Sequence, residues 1–314
     1  MPANLTPQYM EAEEAYKRAT TPEEKLAALE EMLRTIPKHK GTDKMQADIK
    51  RRIARMKEAG EAARKKGKAD PYRVEREGAG QVFMVGPPNS GKSALVGGLT
   101  NAKVVVAPYS FATTQPVPGM MRYEDILIQL VDTPPISVDN CPPALMASVR
   151  SGDAVIMVVD VSSDSCLDDI QSLLDLLEER RVINQEKPRI VALSKIDLPG
   201  AADNAEIVLE AYPDIRFVKV SAESGEGVDE LPRIVFDMLD IIRLYSKPPG
   251  RDVDRAAPFV LKRGGTVTDL AGAIHRDLPR TMKSARVWGS ARFDGQPVPR
   301  EYVLSDGDIV EFRT

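Results

Sequence analysis

The chain is short of cysteine, has no long apolar run and shows no surplus of either charge, and each shortage removes a class of protein. Its 314 residues include two cysteines, Cys141 and Cys166, far apart and without metal-ligand spacing. A disulfide scaffold is thereby excluded, and two idle thiols fit a reducing compartment. No 18 apolar residues run together, and the N-terminus starts polar and acidic, without a basic segment leading into an apolar one. A cytoplasmic location with no membrane association is the expectation. Lys and Arg number 43 against 47 Asp and Glu, a net charge of −4, so any nucleic-acid argument must rest on local clusters. Internal repeats and low-complexity tracts are absent as well. What remains is an ordinary globular composition, 42% hydrophobic, in a length that suits two or three domains.

Three segments differ in pattern. Residues 1–75 show apolar positions at helical spacing, among them Leu26, Leu29, Met32 and Leu33, and predict two or three helices. Thr21 before Pro22 reads as one helix start and the neighbourhood of Asp43 as another. Between Arg34 and Lys68 stand thirteen Lys or Arg against four acids. That surplus fits either a solvated helix face and linker or an arm that seeks the phosphates of RNA. Across 76–248, short apolar runs alternate with helical stretches, which predicts a mostly parallel sheet covered on both faces. Lys247-Pro-Pro-Gly250 reads as a linker, and 256–314 as a small α/β module with turns at Asp294-Gly295 and Asp306-Gly307.

The most informative motif lies where the apolar run Gln81–Val85 meets Gly86-Pro87-Pro88-Asn89-Ser90-Gly91-Lys92-Ser93, followed by Ala94 and a helical stretch. Strand, glycine-punctuated loop and helix in this order form a phosphate cradle. Lys92 is placed to bridge the β- and γ-phosphates of a nucleotide, and Ser93 to put its hydroxyl on Mg²⁺. Asp132 ends a strand in a carboxylate and is the expected second metal residue. After another strand, Ser194-Lys195-Ile196-Asp197 offers a carboxylate that matches the paired N–H donors of guanine, which adenine lacks. Lys195 is placed along the base. Ser221 and Ala222 offer backbone N–H groups toward the guanine carbonyl.

The order of these elements resembles the Obg-type GTPases. Tyr109-Ser-Phe-Ala-Thr-Thr114 with Val117-Pro-Gly119 narrows the resemblance to the developmentally regulated GTP-binding proteins. The tail, with Ile274-His-Arg-Asp-Leu278, Ala285-Arg-Val-Trp-Gly289 and Leu304-Ser-Asp-Gly-Asp-Ile-Val310, is similar to their TGS module. The resemblance implies a P-loop G domain, a helical N-terminal element, a β-grasp TGS domain, and work near ribosomes or translation. It also implies GTP/GDP and Mg²⁺ as ligands. Thr113 matches the switch threonine that holds Mg²⁺, with Thr114 as the adjacent alternative. Asn89 matches the asparagine by which potassium-stimulated members hold K⁺, so Lys92, Thr113 and Asn89 are the expected catalytic set.

The chain also departs from the family pattern. The family writes glycine where Pro135 stands, and proline lacks the N–H that meets the γ-phosphate, so switching should be muted. Ile136 occupies the place of a water-orienting glutamine in small G proteins. Ser194 replaces an asparagine, which should weaken bracing of the phosphate loop. The span from Asp132 to Ser194 leaves no room for the domain that developmentally regulated relatives insert. A slow GTPase is the leading reading, and a nucleotide-binding scaffold that docks on RNA or ribosomes the second. An ATPase rests on Ser194 alone and is outweighed by Asp197.

Overall fold

The computed structural model describes residues 6–19, 22–37, 42–67, 70–100, 114–138, 140–183, 187–255 and 257–313. The chain divides into two units, Met1–Asp70 and Pro71–Thr314. In the first, helices α1 (Pro7–Arg18), α2 (Pro22–Thr35) and α3 (Asp43–Gly67) enclose their own small core of Tyr9, Ala12, Leu29, Met32, Ile36 and Ile49. Thr6 caps α1 by accepting from the Tyr9 amide at 3.2 Å, and Pro7 fills a first-turn position where a missing N–H costs nothing. The expected helix start at Thr21 lies outside the described residues, and α3 begins where Asp43 predicts. On α3 the side chains of Lys50, Arg51, Arg52 and Arg55 are exposed.

The second unit opens with a six-stranded sheet. Its elements run β1 (Gln81–Val85), α4 (Lys92–Leu99), β2 (Val117–Tyr123), β3 (Ile126–Asp132), α5 (Pro143–Ser151), β4 (Ala154–Asp160) and α6 (Cys166–Glu179). Then follow β5 (Arg189–Ser194), α7 (Ala201–Ala211), β6 (Phe217–Lys219) and α8 (Leu231–Leu239). The strand order is β2-β3-β1-β4-β5-β6, parallel except for the β2–β3 hairpin. Because successive strand residues face opposite sides, Phe83 and Val85 enter a core with Leu145, Met146 and Leu177, while Val82 and Met84 enter another with Leu95, Val96 and Leu239. Both faces are covered, which is why the strands read as continuous apolar runs. Each large apolar side chain buried there contributes about 1.5–3 kcal/mol. Between Asp132 and Ser194 lie only α5, β4, α6, β5 and their connections, so the described residues leave no inserted domain.

A second sheet follows from β7 (Ile241–Ser246), β8 (Phe259–Lys262), α9 (Val267–Ile274), α10 (Leu278–Thr281), β9 (Ser284–Trp288), β10 (Gln296–Val298) and β11 (Ile309–Arg313). Its order is β10-β9-β11-β7-β8, with α9 packed on Ile242, Leu244, Val287 and Val310. Thr266 caps α9 in a reciprocal box with Asp269. This module starts earlier than the proline linker suggests. Only Asp240, in the left-handed region at φ 51°, separates α8 from β7, and the Lys247-Pro-Pro-Gly250 stretch is a connection inside the module. The strand hides the boundary because both its faces are covered: Ile242 and Leu244 face the second core, whereas Ile241 joins a core of the first sheet. From the same strand Arg243 reaches Glu124 and, at 3.1 Å, Asp125 in the β2–β3 turn, and Asp306 at 2.8 Å.

Candidate functional site

At the end of β1 the chain must turn against β4, and only glycine fits. A Cβ on Gly86 would lie 2.2 Å from the Val158 carbonyl oxygen and 2.9 Å from Ser90 Oγ. Gly91, at φ +88°, makes the left-handed entry to α4. Inside this loop Lys92 is 5% exposed. Its Nζ donates to the carbonyls of Gly86 at 3.0 Å and Pro87 at 2.8 Å and to Ser90 Oγ at 3.3 Å. Burial lowers its pKa to about 8, against a smaller opposing pull from Asp132. An ammonium held by three neutral oxygens in a concave loop is poised to accept anionic ones instead.

Ser93 Oγ donates to Asp132 Oδ2 at 2.6 Å. The two residues expected to share a cation therefore stand together, and a hydroxyl with a carboxylate is the hard oxygen set that Mg²⁺ takes. Beyond Asp132 the backbone is tied down: Thr133 Oγ1 donates to the Met84 carbonyl at 2.8 Å, the Ile136 amide to the Gly86 carbonyl at 3.1 Å, and Asn140 Nδ2 to the Pro135 carbonyl at 2.9 Å. Ile136 is a core residue, 1% exposed, packed with Leu145 and Met146. Pro87 and Pro88 are half-buried and Asn89 is exposed, at φ 60°. Thr113 lies outside the described residues, and Thr114 is exposed.

Next to the loop, a cavity of about 290 Å³ is lined by Gly91, Ala94, Leu95, Ser194, Lys195, Asp197, Leu198, Ser221, Ala222 and Glu223. All five residues expected around the base thus meet at one place, and Gly91 and Ala94 belong to it and to the phosphate loop. Asp197 sits exposed at the rim. Ser194 is buried, and its Oγ lies 2.7 Å from the Ser90 carbonyl and 2.9 Å from that of Val159. The hydroxyl therefore reaches the phosphate loop directly. Ser221 Oγ accepts from the amides of Glu223 at 3.2 Å and Ser224 at 3.0 Å, which shapes the turn after β6. Sequence reasoning missed Asp160, which accepts from Lys195 Nζ at 2.6 Å. The signal was available: like Asp132, it is a carboxylate ending an apolar parallel strand.

Among the described residues, no group of three or more His, Cys, Asp or Glu forms a metal cluster, and no helix is long and apolar enough to cross a membrane. Residues 81–195 match the family described as 50S ribosome-binding GTPases, and residues 242–314 match the TGS domain. A GTP-binding protein of Methanocaldococcus jannaschii is 27% identical, the match covering 92% of each chain. Developmentally-regulated G-protein 2 of Arabidopsis thaliana is 28% identical over 90% of this chain and 88% of its own. Among solved structures, a variant of Aquifex aeolicus Era bound to GDP·AlF4⁻ aligns with a TM-score of 0.43 and 22% identity, over 66% of this chain and 71% of that one. The chain is a homologue of the developmentally regulated GTP-binding proteins, with a P-loop GTPase domain followed by a TGS domain.

Proposed function

We propose that the chain binds GTP and GDP and hydrolyses GTP slowly, in association with ribosomes or their RNA. One observation carries the nucleotide reading: the glycine-punctuated loop around the buried Lys92 adjoins, through Gly91 and Ala94, a cavity whose rim holds Asp197. The loop amides and Lys92 bind the phosphates, and Asp197, Lys195, Ser221 and Ala222 select the base. Ser93 and Asp132 would hold Mg²⁺, together with Thr113 as the resemblance implies, and the ion would neutralise phosphate charge. Asn89 is the residue for a K⁺ beside the loop. Ile136 is buried and apolar, so it cannot orient water, and hydrolysis rests on charge neutralisation and on ordered backbone. The description of the matched GTPase family, the TGS domain and the exposed cations of α3 support a ribosomal partner.

A second reading has its own observation. Pro135 removes an amide, and its neighbours are anchored: Thr133 bonds β1, Ile136 bonds the glycine after β1, and Asn140 bonds the Pro135 carbonyl. A G domain used as a nucleotide-binding scaffold fits that. Phosphate release from GTP and ATP, measured in K⁺ and Na⁺ with and without ribosomes, separates the two. Slow GTP-specific release, faster in K⁺, supports the GTPase, and none under any condition supports the scaffold.

A further inference from the structure

The carboxylate of Asp160 serves two neighbours at once. Its Oδ1 accepts from the amide of Ser162 at 3.0 Å and from Ser162 Oγ at 2.6 Å, which closes the turn after β4. Its Oδ2 accepts from Lys195 Nζ at 2.6 Å, an ion pair between side chains 23% and 34% exposed. Lys195 itself stands at φ 59°, a conformation that side-chain-bearing residues rarely adopt, and it lines the cavity with Leu95, Ala222 and Leu198.

We infer that Asp160 is a positioning residue for base recognition. It acts through Lys195 and rests on the guanine-nucleotide reading of the cavity. A lysine stem has four rotatable bonds, and freezing them on binding would cost affinity. The tether orders the chain beforehand, so that an apolar wall stands ready for a flat purine ring. It also gives the ammonium a fixed counter-charge at the cavity, while Asp197 is left for the ring N–H donors. The register supports the pairing: Asp160 lies beside Ser194 on adjacent parallel strands, which brings the carboxylate to the residue before Lys195.

The test is a binding cycle with fluorescent GDP and ADP analogues on the full chain, comparing wild type, Asp160→Asn, Asp160→Glu, Lys195→Ala and the Asp160→Asn/Lys195→Ala pair. Asparagine can still accept from Ser162 but loses the ion pair. It should weaken GDP binding about tenfold, Lys195→Ala should do the same, and the pair should be no weaker than the worse single variant. Glutamate keeps the charge and should stay within about threefold of wild type. GDP affinity unchanged in Asp160→Asn, losses that multiply in the pair, or equal losses for asparagine and glutamate would overturn the assignment alone. Wild-type protein that binds no GDP overturns the nucleotide reading with it.

Discussion

The hydroxyl of Ser93 donates to Asp132 Oδ2 at 2.6 Å and joins the first turn of α4 to the end of β3. A serine and a buried aspartate so close are the oxygen pair from which a divalent cation would take two ligands. Asp132→Asn keeps the shape and removes the charge. In that variant Mg²⁺ should no longer strengthen GTP binding, whereas in wild type it should do so at least tenfold. Equal Mg²⁺ dependence in the two proteins, followed by titration calorimetry, would remove Asp132 from the metal site.

Burial holds Lys92 at a pKa of about 8 in the free protein. Phosphate oxygens must raise that value, because an adjacent anion favours the ammonium. Below pH 7 the group is charged in both states and binding takes up no proton. Above pH 8 the free lysine is largely neutral, so binding takes up a proton and affinity falls by up to about tenfold per pH unit. Calorimetry at pH 8.5 in two buffers of different ionisation enthalpy measures that uptake directly. A value near zero would show that the phosphates do not sit on Lys92.

Ser194 takes the place of a longer amide yet still bonds the phosphate loop, at 2.7 Å from the Ser90 carbonyl. The shorter side chain thus still reaches the loop. Ser194→Ala would strand a buried carbonyl at a cost of about 1–3 kcal/mol. The melting temperature should drop and GDP should bind more weakly. Loss of neither would make the hydroxyl dispensable.

Arg243 ties the two sheets of the second unit together. Its side chain is 11% exposed, bonded to Glu124, Asp125 and Asp306, with the Tyr123 and Phe236 rings 5.6 Å and 5.2 Å from its guanidinium carbon. Arg243→Ala leaves three carboxylates facing one another and should cost about 2 kcal/mol, below the range for fully buried pairs because the carboxylates keep some water. Burial pushes the Asp306 pKa up, but hydrogen bonds from Arg243 outweigh it and leave the value low. This contribution is present above the ordinary aspartate range and fades as pH falls through the lowered value. The variant should therefore lose its deficit in strong acid, as chemical denaturation at pH 7 and pH 2 would show. A deficit equal at both would assign it to packing alone.

Much of this was legible in the residues. Continuous apolar runs such as Ala154–Val159 announced strands covered on both faces, and each strand-terminal motif landed at the same end of the sheet. The boundary at β7 was not legible, because Ile241 and Ile242 serve different cores and leave no gap in hydrophobicity. Nor was the fixing of Ile136, since burial of a residue after two prolines depends on Leu145 and Met146 arriving from α5. Asp160 went unread because its partner lies 35 positions away, just past the end of the next strand. The expectation for Thr113 lies outside the described residues.

The most direct test of guanine selection is a calorimetric titration of the full chain with GDP and ADP in Mg²⁺, repeated on Asp197→Asn. GDP should bind at least about 100-fold more tightly than ADP, and the variant should lose most of that preference. Equal affinity for the two nucleotides in wild type, or full guanine preference without the Asp197 carboxylate, would contradict that selection.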